Sequence, residues 1–309
     1  MTTQAAALRI VLITSFCMAF TAGTARGQER FSPFVPSNQD TVERMVRLAN
    51  LRPTDTVIDL GSGDGRIVLT AVQSLQNVRG VGVEINAELV DKATDAAQAQ
   101  GLGNRVRFLH QNAFDADLGQ ADVIFMWLFP ELMRLLRPKI LAEARPGTRV
   151  IAASWDLGNW QVDATDDIPG APTIRMWVVP ARIDGEWEWH LPLRGLTRRY
   201  QSLFEQRIQH VEGAIRIGAR RESISNVLLR GDTLQFTLRM TLPGMGYVSH
   251  TFARRMQGDR IEGTVKVQMA KRGSDDEMEE LLLPWTARRP ARPAYFAPTG
   301  TNLQLDGIR

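Results

Sequence analysis

Apolar residues follow two different repeats along the first half of this chain. Short continuous apolar runs indicate buried strands, and apolar residues three or four positions apart indicate amphipathic helices. The strands predicted in this way are 56–60, 80–84, 105–109, 121–127 and 149–154. The predicted helices are 66–75, 87–100 and 132–143, after a first helix that starts at Ser37-Asn38 and carries Val42, Met45, Val46 and Ala49. Strands that alternate with helices predict an α/β fold with a parallel sheet.

The second half of the chain has a period of two. Residues 234–240 alternate apolar and polar side chains, which indicates a half-buried strand. The stretch 210–217 is similar to 260–267, and Gly231-Asp232 and Gly258-Asp259 are typical turn dipeptides. These features predict a small antiparallel all-β domain, either a barrel or a sandwich.

We expect a hairpin where the two halves meet, with strands 174–179 and 186–191 joined across Asp184-Gly185. A chain of 309 residues with 44% hydrophobic content is long enough for two cores. The predicted organisation is a signal peptide over 1–27, an α/β domain over 28–191, an all-β domain over 192–290 and a loose tail over 291–309.

A glycine-rich turn connects the first strand to the next helix. Its sequence is Asp59-Leu60-Gly61-Ser62-Gly63-Asp64-Gly65. Glycines there permit positive φ and close approach of a ligand to the backbone, and the helix start offers free N–H groups. The third glycine comes one residue earlier than in the dinucleotide fingerprint, and Arg66 stands in its place. Carboxylates at Asp59 and Asp64 repel a pyrophosphate but suit a cationic ligand such as S-adenosylmethionine, which carries a sulfonium and an ammonium.

An acid ends the second predicted strand. Glu84 follows the glycine turn by about the 20 residues that separate such a turn from a ribose-binding acid. We therefore expect Glu84 to accept hydrogen bonds from the ribose hydroxyls. The alternative interpretation is a tight turn followed by a solvated glutamate at a strand end.

At this point the chain resembles the class I methyltransferases, which have a Rossmann-like sheet of seven strands and use S-adenosylmethionine. The resemblance covers roughly residues 34 to 180, and the branch is similar to the mitochondrial protein-lysine methyltransferases that modify carrier and ATP-synthase subunits. It is carried by Phe34-Val35-Pro36-Ser37, Asp59 to Arg66, Asn112-Ala113-Phe114, Trp127-Leu128-Phe129-Pro130, Arg137-Pro138-Lys139 and Pro146-Gly147-Thr148-Arg149-Val150. It implies a protein substrate methylated on a lysine side chain.

The resemblance also implies further site residues. Asn112 and Ala113 stand where the family has an acid that faces the adenine amino group. Trp127 and Pro130 stand where amino-group methyltransferases carry a polar-Pro-Pro-aromatic element, although the polar residue is missing. The alternative treats Trp127 and Phe129 as packed core aromatics.

The segment after the fifth strand offers one candidate general base. Asp156 is that candidate, and we expect Ser154 and Trp160 to border the substrate mouth with it.

The N-terminus has the features of an export signal. Arg9 precedes an apolar stretch from Ile10 to Phe20, and Ala25-Arg26-Gly27 is a small-x-small cleavage site. We therefore expect a periplasmic protein cut after Gly27; a membrane-anchored or cytoplasmic protein remains the alternative. Because S-adenosylmethionine is made in the cytoplasm, an exported enzyme would need imported cofactor.

Charge and the remaining chemistry narrow the function classes. Residues 190–309 hold 19 of the 37 basic and 12 of the 34 acidic residues. Pairs of arginines that begin at Arg198, Arg220, Arg254 and Arg288 either form a patch for anionic lipid, envelope polymer or nucleic acid, or are solvated strand ends. The four histidines lack metal-ligand spacing and the only cysteine is Cys17, so no metal site is expected. No nucleic acid is expected either, since aromatic residues are not interleaved with the basic ones.

Two other functions stay open beside the methyltransferase. The first is a non-catalytic periplasmic binding protein that retains a Rossmann-like domain. The second is an RNA methyltransferase, which export and the acidic first half disfavour.

Overall fold

The computed structural model describes residues 37–257, 260–273 and 277–291. Several predicted features lie outside these ranges and stay predictions. They are the signal peptide over 1–27, the family residues Phe34 to Pro36, the turn at Gly258-Asp259 and the tail after residue 291.

The first half of the chain forms the predicted α/β domain. Its helices are α1 (Gln39–Ala49), α2 (Arg66–Ser74), α3 (Ala87–Ala99) and α4 (Pro130–Glu143). Its strands are β1 (Thr56–Leu60), β2 (Arg79–Glu84), β3 (Val106–His110), β4 (Val123–Met126), β5 (Arg149–Ala153), β6 (Ala164–Asp166) and β7 (Ile174–Val178). Asn38 caps α1 by accepting the N–H of Asp40 at 3.0 Å, as expected for a polar residue at a helix start.

These strands form one seven-stranded sheet in the order β3-β2-β1-β4-β5-β7-β6. The first five strands are parallel, and β7 runs antiparallel to both β5 and β6. Strand order reverses at β1, which lies between β2 and β4. Ligands of such sheets bind beyond the carboxyl ends of the strands at this reversal point. The glycine turn leaves β1 at that position.

Alternating strand residues supply two apolar layers, one on each face of the sheet. Val57 of β1 and Phe125 of β4 pack with α1 and α2, whereas Ile58 and Met126 face α4. Each such side chain contributes about 1.5 to 3 kcal/mol when it is fully buried. The two layers therefore hold the strand ends in fixed positions.

The predicted hairpin over 174–191 is wrong. Strand β7 pairs with β5 and β6, and the next strand belongs to a second sheet. The short strand Ala164–Asp166 completes the seven strands instead. Its three residues gave no alternating pattern in the sequence. The change of sheet falls between Val178 and Gly185, before the predicted boundary at residue 191.

The second half forms a closed antiparallel barrel in the order β10-β11-β12-β13-β14-β15-β8-β9. Its strands are β8 (Gly185–Leu193), β9 (Leu196–Arg207), β10 (His210–Ile217), β11 (Arg220–Arg230), β12 (Thr233–Leu242), β13 (Gly246–Gln257), β14 (Arg260–Ala270) and β15 (Met278–Arg288). The all-β prediction is confirmed. The similar stretches at 210 and 260 are β10 and β14, and Gly231-Asp232 is the turn from β11 to β12.

Aromatic side chains fill the barrel. Trp189 stacks on Tyr200 at 5.4 Å between ring centroids, and Phe236 stacks on Phe252 at 4.6 Å. Trp285 packs edge-on against Trp189 at 5.6 Å. These contacts give the second half its own hydrophobic core.

The barrel does not gather the arginine pairs into one patch. Arg198 and Arg220 lie near the starts of β9 and β11, whereas Arg254 and Arg288 lie near the ends of β13 and β15. Since all four strands run in the same direction, the pairs are divided between the two ends of the barrel.

The described residues belong to one compact unit. Segments that flank the two sheets meet in it: Asp163, just before β6, pairs with Arg230 at 2.9 Å. The N–H of Ala181, between β7 and β8, donates to the carbonyl of Gly231 at 2.7 Å. Within the described ranges, no helix combines the length and apolar character needed to cross a membrane.

Candidate active site at the carboxyl edge of the sheet

The glycine turn has the backbone geometry that its sequence predicts. Gly61 and Gly65 have φ angles of +80° and +81°. A Cβ on Gly65 would lie 2.5 Å from the Phe108 ring, and one on Gly61 would lie 2.4 Å from a methyl carbon of Leu128. The positive φ favours glycine at both positions, and at Gly65 crowding by the Phe108 ring and Ala93 adds a packing reason.

Glu84 is tied directly to this turn. Its Oε2 accepts the N–H of Gly63 at 2.9 Å, and its Oε1 accepts the N–H of Asn86 at 2.9 Å. The side chain is buried, so the carboxylate is held rigidly at the end of β2. Since a carboxylate has about four acceptor positions, it can still accept hydrogen bonds from hydroxyl groups of a ligand.

Asp59 is the most unusual group in the turn. It is fully buried, and neither of its carboxylate oxygens has a hydrogen-bond partner among the described residues. Burial, with repulsion from Glu84 and Asp64, raises the pKa of Asp59 to about 8. The nearby Ser62 hydroxyl is also buried without a partner in the described part of the chain. A cationic ligand would compensate the buried acid, which fits the ammonium-bearing cofactor.

Asp64, unlike Asp59, has charged partners within the protein. Both of its oxygens accept hydrogen bonds from Arg66, at 2.9 and 2.5 Å, and Lys92 lies 3.9 Å away. These hydrogen bonds lower the pKa of Asp64. Asp64 thus already has a counter-ion in the cofactor-free protein, whereas Asp59 has none among the described residues, and a contact of Asp64 with the cofactor stays a prediction. Arg66 also donates to the carbonyl of Ser37, so the pair fastens the segment before α1 to the turn.

The remaining predicted cofactor residues lie at the same edge of the sheet. Asn112 follows β3 and is exposed, and its Oδ1 accepts the N–H of Phe114 at 3.0 Å to start a 3-10 helix over Ala113–Asp115. Leu60 is completely buried in the layer that faces α4, so only its backbone can contribute to a ligand site. Contacts of Asn112 and Ala113 with adenine stay predictions.

The segment after β4 contains one aromatic residue that packs against the core and another that is exposed. Trp127 is partly buried and packs against the apolar layer under α1 and α2. Phe129 is exposed, and Pro130 is the first residue of α4, where its missing N–H is tolerated. Trp127 thus has a packing role whether or not it also contacts a substrate.

The predicted residues after β5 separate into two environments. Asp156 is exposed, accepts the N–H of Gly158 at 2.8 Å and lies 3.7 Å from Arg134. Trp160 is 2% exposed and its carbonyl accepts the indole N–H of Trp177 at 2.9 Å. The expectation that Trp160 borders the substrate mouth is wrong, because its ring belongs to the core.

Two residues at this edge were missed by sequence reasoning. Phe108 supports the glycine turn from β3, and Trp155 stands exposed directly after β5. The position of Trp155 beyond the carboxyl end of a parallel strand was a usable signal. The described residues contain no cluster of three or more metal-ligating side chains.

Comparison with known proteins agrees with this geometry. The family model described as the ANTKMT methyltransferase domain matches residues 59–164. A protein-lysine N-methyltransferase of Saccharolobus islandicus is 36% identical over 150 residues, which cover 48% of this chain and 93% of that protein. The adenine nucleotide translocase lysine N-methyltransferase of Mus musculus is 34% identical over 146 residues, 47% of this chain and 61% of that protein.

Among solved structures, an RNA methyltransferase from Salinibacter ruber in complex with S-adenosyl-L-homocysteine is 40% identical. The match covers 48% of this chain and 96% of that chain, with a TM-score of 0.46. The Saccharolobus relative is matched over almost its whole length, whereas the mouse relative is matched over less than two thirds. The chain therefore belongs to the class I S-adenosylmethionine-dependent methyltransferases.

Proposed function

We propose that this protein methylates the side-chain amine of a lysine in another protein, with S-adenosylmethionine as the methyl donor. The match to nearly the whole Saccharolobus protein-lysine N-methyltransferase supports the substrate class. The buried carboxylate of Asp59, which has no hydrogen-bond partner in the described part of the chain, lies near Glu84 and is the structural observation that carries the cofactor assignment.

The chain's own residues have three tasks in this reaction. Glu84 accepts hydrogen bonds from the ribose hydroxyls, and Asp59 balances the positive charge of the cofactor. The glycine turn lets the backbone come close to the cofactor. When bound, S-adenosylmethionine supplies an electrophilic methyl group with its own leaving group, so the protein needs chiefly to align the nucleophile. We propose that Trp127 and Pro130 line the path of the lysine and that Asp156 accepts its proton.

The cofactor site is tested by Glu84→Ala. This change removes the acceptor of the ribose hydroxyls, and we expect it to weaken binding by about 1.5 to 3 kcal/mol, the cost of losing hydrogen bonds to a charged group. Titration calorimetry with S-adenosylmethionine and its demethylated product measures the effect. Glu88→Ala is the matched control, since Glu88 is an exposed acid in the first turn of α3. Equal affinities in both variants contradict the assignment.

The substrate class is tested on extracts from cells that lack the gene. Purified protein and methyl-labelled cofactor should label proteins, and mass spectrometry should locate the label on lysine side chains. Label found only in the RNA fraction would contradict a protein substrate. Absence of label from both fractions, with intact cofactor binding, would favour the non-catalytic binding protein.

We also propose that the protein is exported to the periplasm, on the basis of the apolar stretch from Ile10 and the Ala25-x-Gly27 site. Mass measurement of the natively expressed protein should find an N-terminus at Gln28. An intact Met1 in a cytosolic fraction would contradict export and remove the problem of cofactor supply. An anionic envelope surface as partner of the barrel stays a proposal, which co-sedimentation with phosphatidylglycerol vesicles tests.

A further inference from the structure

The backbone turns sharply at Ser154, directly after β5. Ser154 has a φ angle of +71°, and the N–H of Trp155 donates to the carbonyl of Ala153 at 2.9 Å. This is a three-residue γ-turn with a left-handed central residue, which is the rare and strained form. Strain of this kind persists only where neighbouring structure enforces it, and it concentrates at functional sites.

Neighbouring groups hold this turn from both sides. The N–H of Ser154 donates to the carbonyl of Thr173 at 2.9 Å, and the guanidinium of Arg175 donates to the carbonyl of Ser154 at 3.1 Å. Thr173 directly precedes β7 and Arg175 lies within it. The turn therefore presents Trp155 in a fixed place at the carboxyl edge of the sheet, with 47% of the residue exposed.

A second exposed aromatic residue follows the neighbouring strand β4. The last paired residues of β4 and β5 are Met126 and Ala152, and Phe129 and Trp155 each lie three positions beyond this pair. Phe129 is 42% exposed. Neighbouring strands are about 4.8 Å apart, so the two aromatic residues follow adjacent strand ends. Met126 also pairs with Leu60, so this pair of strand ends adjoins the glycine turn.

We propose that Trp155 and Phe129 form an aromatic clamp for the alkyl-ammonium side chain of the substrate, with Trp155 as the main contributor. The inference rests on the proposed lysine substrate. Ring faces pack against the aliphatic stem of lysine and attract its cationic end. They require no N–H donor from the amine, so methyl groups added to the nitrogen do not remove the interaction. A carboxylate in the same place would lose one hydrogen bond with each methylation.

The clamp is tested by binding, independently of methyl transfer. The probe is a dye-labelled glycine-serine peptide with one central lysine, titrated by fluorescence anisotropy into protein loaded with S-adenosylhomocysteine. Matched peptides carry trimethyl-lysine or the uncharged norleucine at that position. We expect the unmodified protein to bind both cationic peptides at least fivefold more tightly than the norleucine peptide.

Trp155→Ala should remove this preference, and Trp155→Phe should keep most of it because a ring face is retained. Tyr247→Ala is the control, since Tyr247 is a 57% exposed aromatic residue on the barrel. It should bind like the unmodified protein. Unchanged affinity for S-adenosylhomocysteine in all variants verifies that the fold is intact.

Three results overturn the clamp: no binding of the lysine peptide, equal binding of the norleucine peptide, or an unchanged preference in Trp155→Ala. Binding that depends on Trp155 without methyl transfer to the lysine peptide supports the clamp. The labelling of extract proteins then decides separately whether the proposed reaction occurs.

Discussion

At the scale of single residues, the cofactor site depends on an acid that no described residue pairs with. Asp59 is fully buried without a partner among the described residues, while Asp64 five positions later is paired with Arg66. With a pKa of about 8, Asp59 holds its proton at neutral pH. A bound cation would favour the charged form, so cofactor binding and loss of this proton should be coupled.

This coupling predicts that cofactor affinity rises with pH up to about 8, by up to about tenfold per unit below the pKa of Asp59. Calorimetry in two buffers of different ionisation enthalpy should show release of a proton at pH 7. Asp59→Asn should abolish the release and weaken binding. Asp64→Asn should keep the release, because Asp64 is already ionised. Identical heats in the two buffers would exclude the coupling.

The raised pKa of Asp59 also predicts that this carboxylate lowers the stability of the folded protein at neutral pH. The folded state binds the Asp59 proton more tightly than the unfolded chain, so between pH 4 and 8 the free energy of unfolding falls as pH rises. Asp59→Asn should therefore stabilise the cofactor-free protein at pH 7, by about 2 to 4 kcal/mol. Denaturant unfolding of both proteins at pH 5 and pH 7 measures this. A difference that does not grow with pH would contradict it.

At the scale of elements, helix α1 is fastened to the far edge of the sheet by one side chain. Arg44 is 1% exposed and donates to the carboxylate of Asp166 at 2.7 Å and to the carbonyl of Pro172 at 3.1 Å. Asp166 ends β6, and Pro172 lies in the connection to β7. Arg44 thus joins the first helix to strands more than 100 residues away.

Arg44→Ala should reduce the free energy of unfolding by about 2 to 4 kcal/mol, since it leaves Asp166 and a carbonyl without their donor. Arg47→Ala removes an exposed arginine from the same helix and should change stability little. Urea unfolding followed by circular dichroism compares the two. Equal effects of both changes would show that α1 is held by its apolar face alone.

At the scale of the whole molecule, the barrel contains an acid-sensitive group in its own core. His250 is fully buried, and its Nε2 lies 2.8 Å from the hydroxyl of Tyr200. Burial lowers the pKa of His250 to about 4. The imidazole is therefore neutral in the folded barrel at neutral pH and is stacked on Phe252.

Because the unfolded chain binds the His250 proton near pH 6.5, the free energy of unfolding should fall between pH 6.5 and 4, by up to about 3 kcal/mol. His250→Gln should lose this dependence, although it lowers stability at pH 7. His190→Gln, an exposed position in β8, should retain it. Near-ultraviolet circular dichroism of the barrel tryptophans follows the transition. Parallel pH profiles of His250→Gln and the unmodified protein would refute the assignment.

The local sequence pattern by itself determined much of the secondary structure and part of the candidate site. Strand and helix positions as far as residue 153, the glycine turn and Glu84 could be predicted because each depends on periodicity, backbone conformation or spacing within a single strand-helix-strand unit. The all-β character of the second half followed from its period of two.

Tertiary structure decided the features that depend on partners distant in the sequence. The strand Gly185–Leu193 has the alternation expected of a hairpin with β7, but its ladder is formed with β9, and it also pairs with β15. Asp59 and Asp64 carry the same carboxylate, and only the burial of one and the Arg66 partner of the other separate their roles. Trp155 and Trp160 lie five positions apart after β5, and packing sends one to the surface and the other to the core. Burial and pairing arise from residues brought together by the fold, so a linear pattern does not contain them.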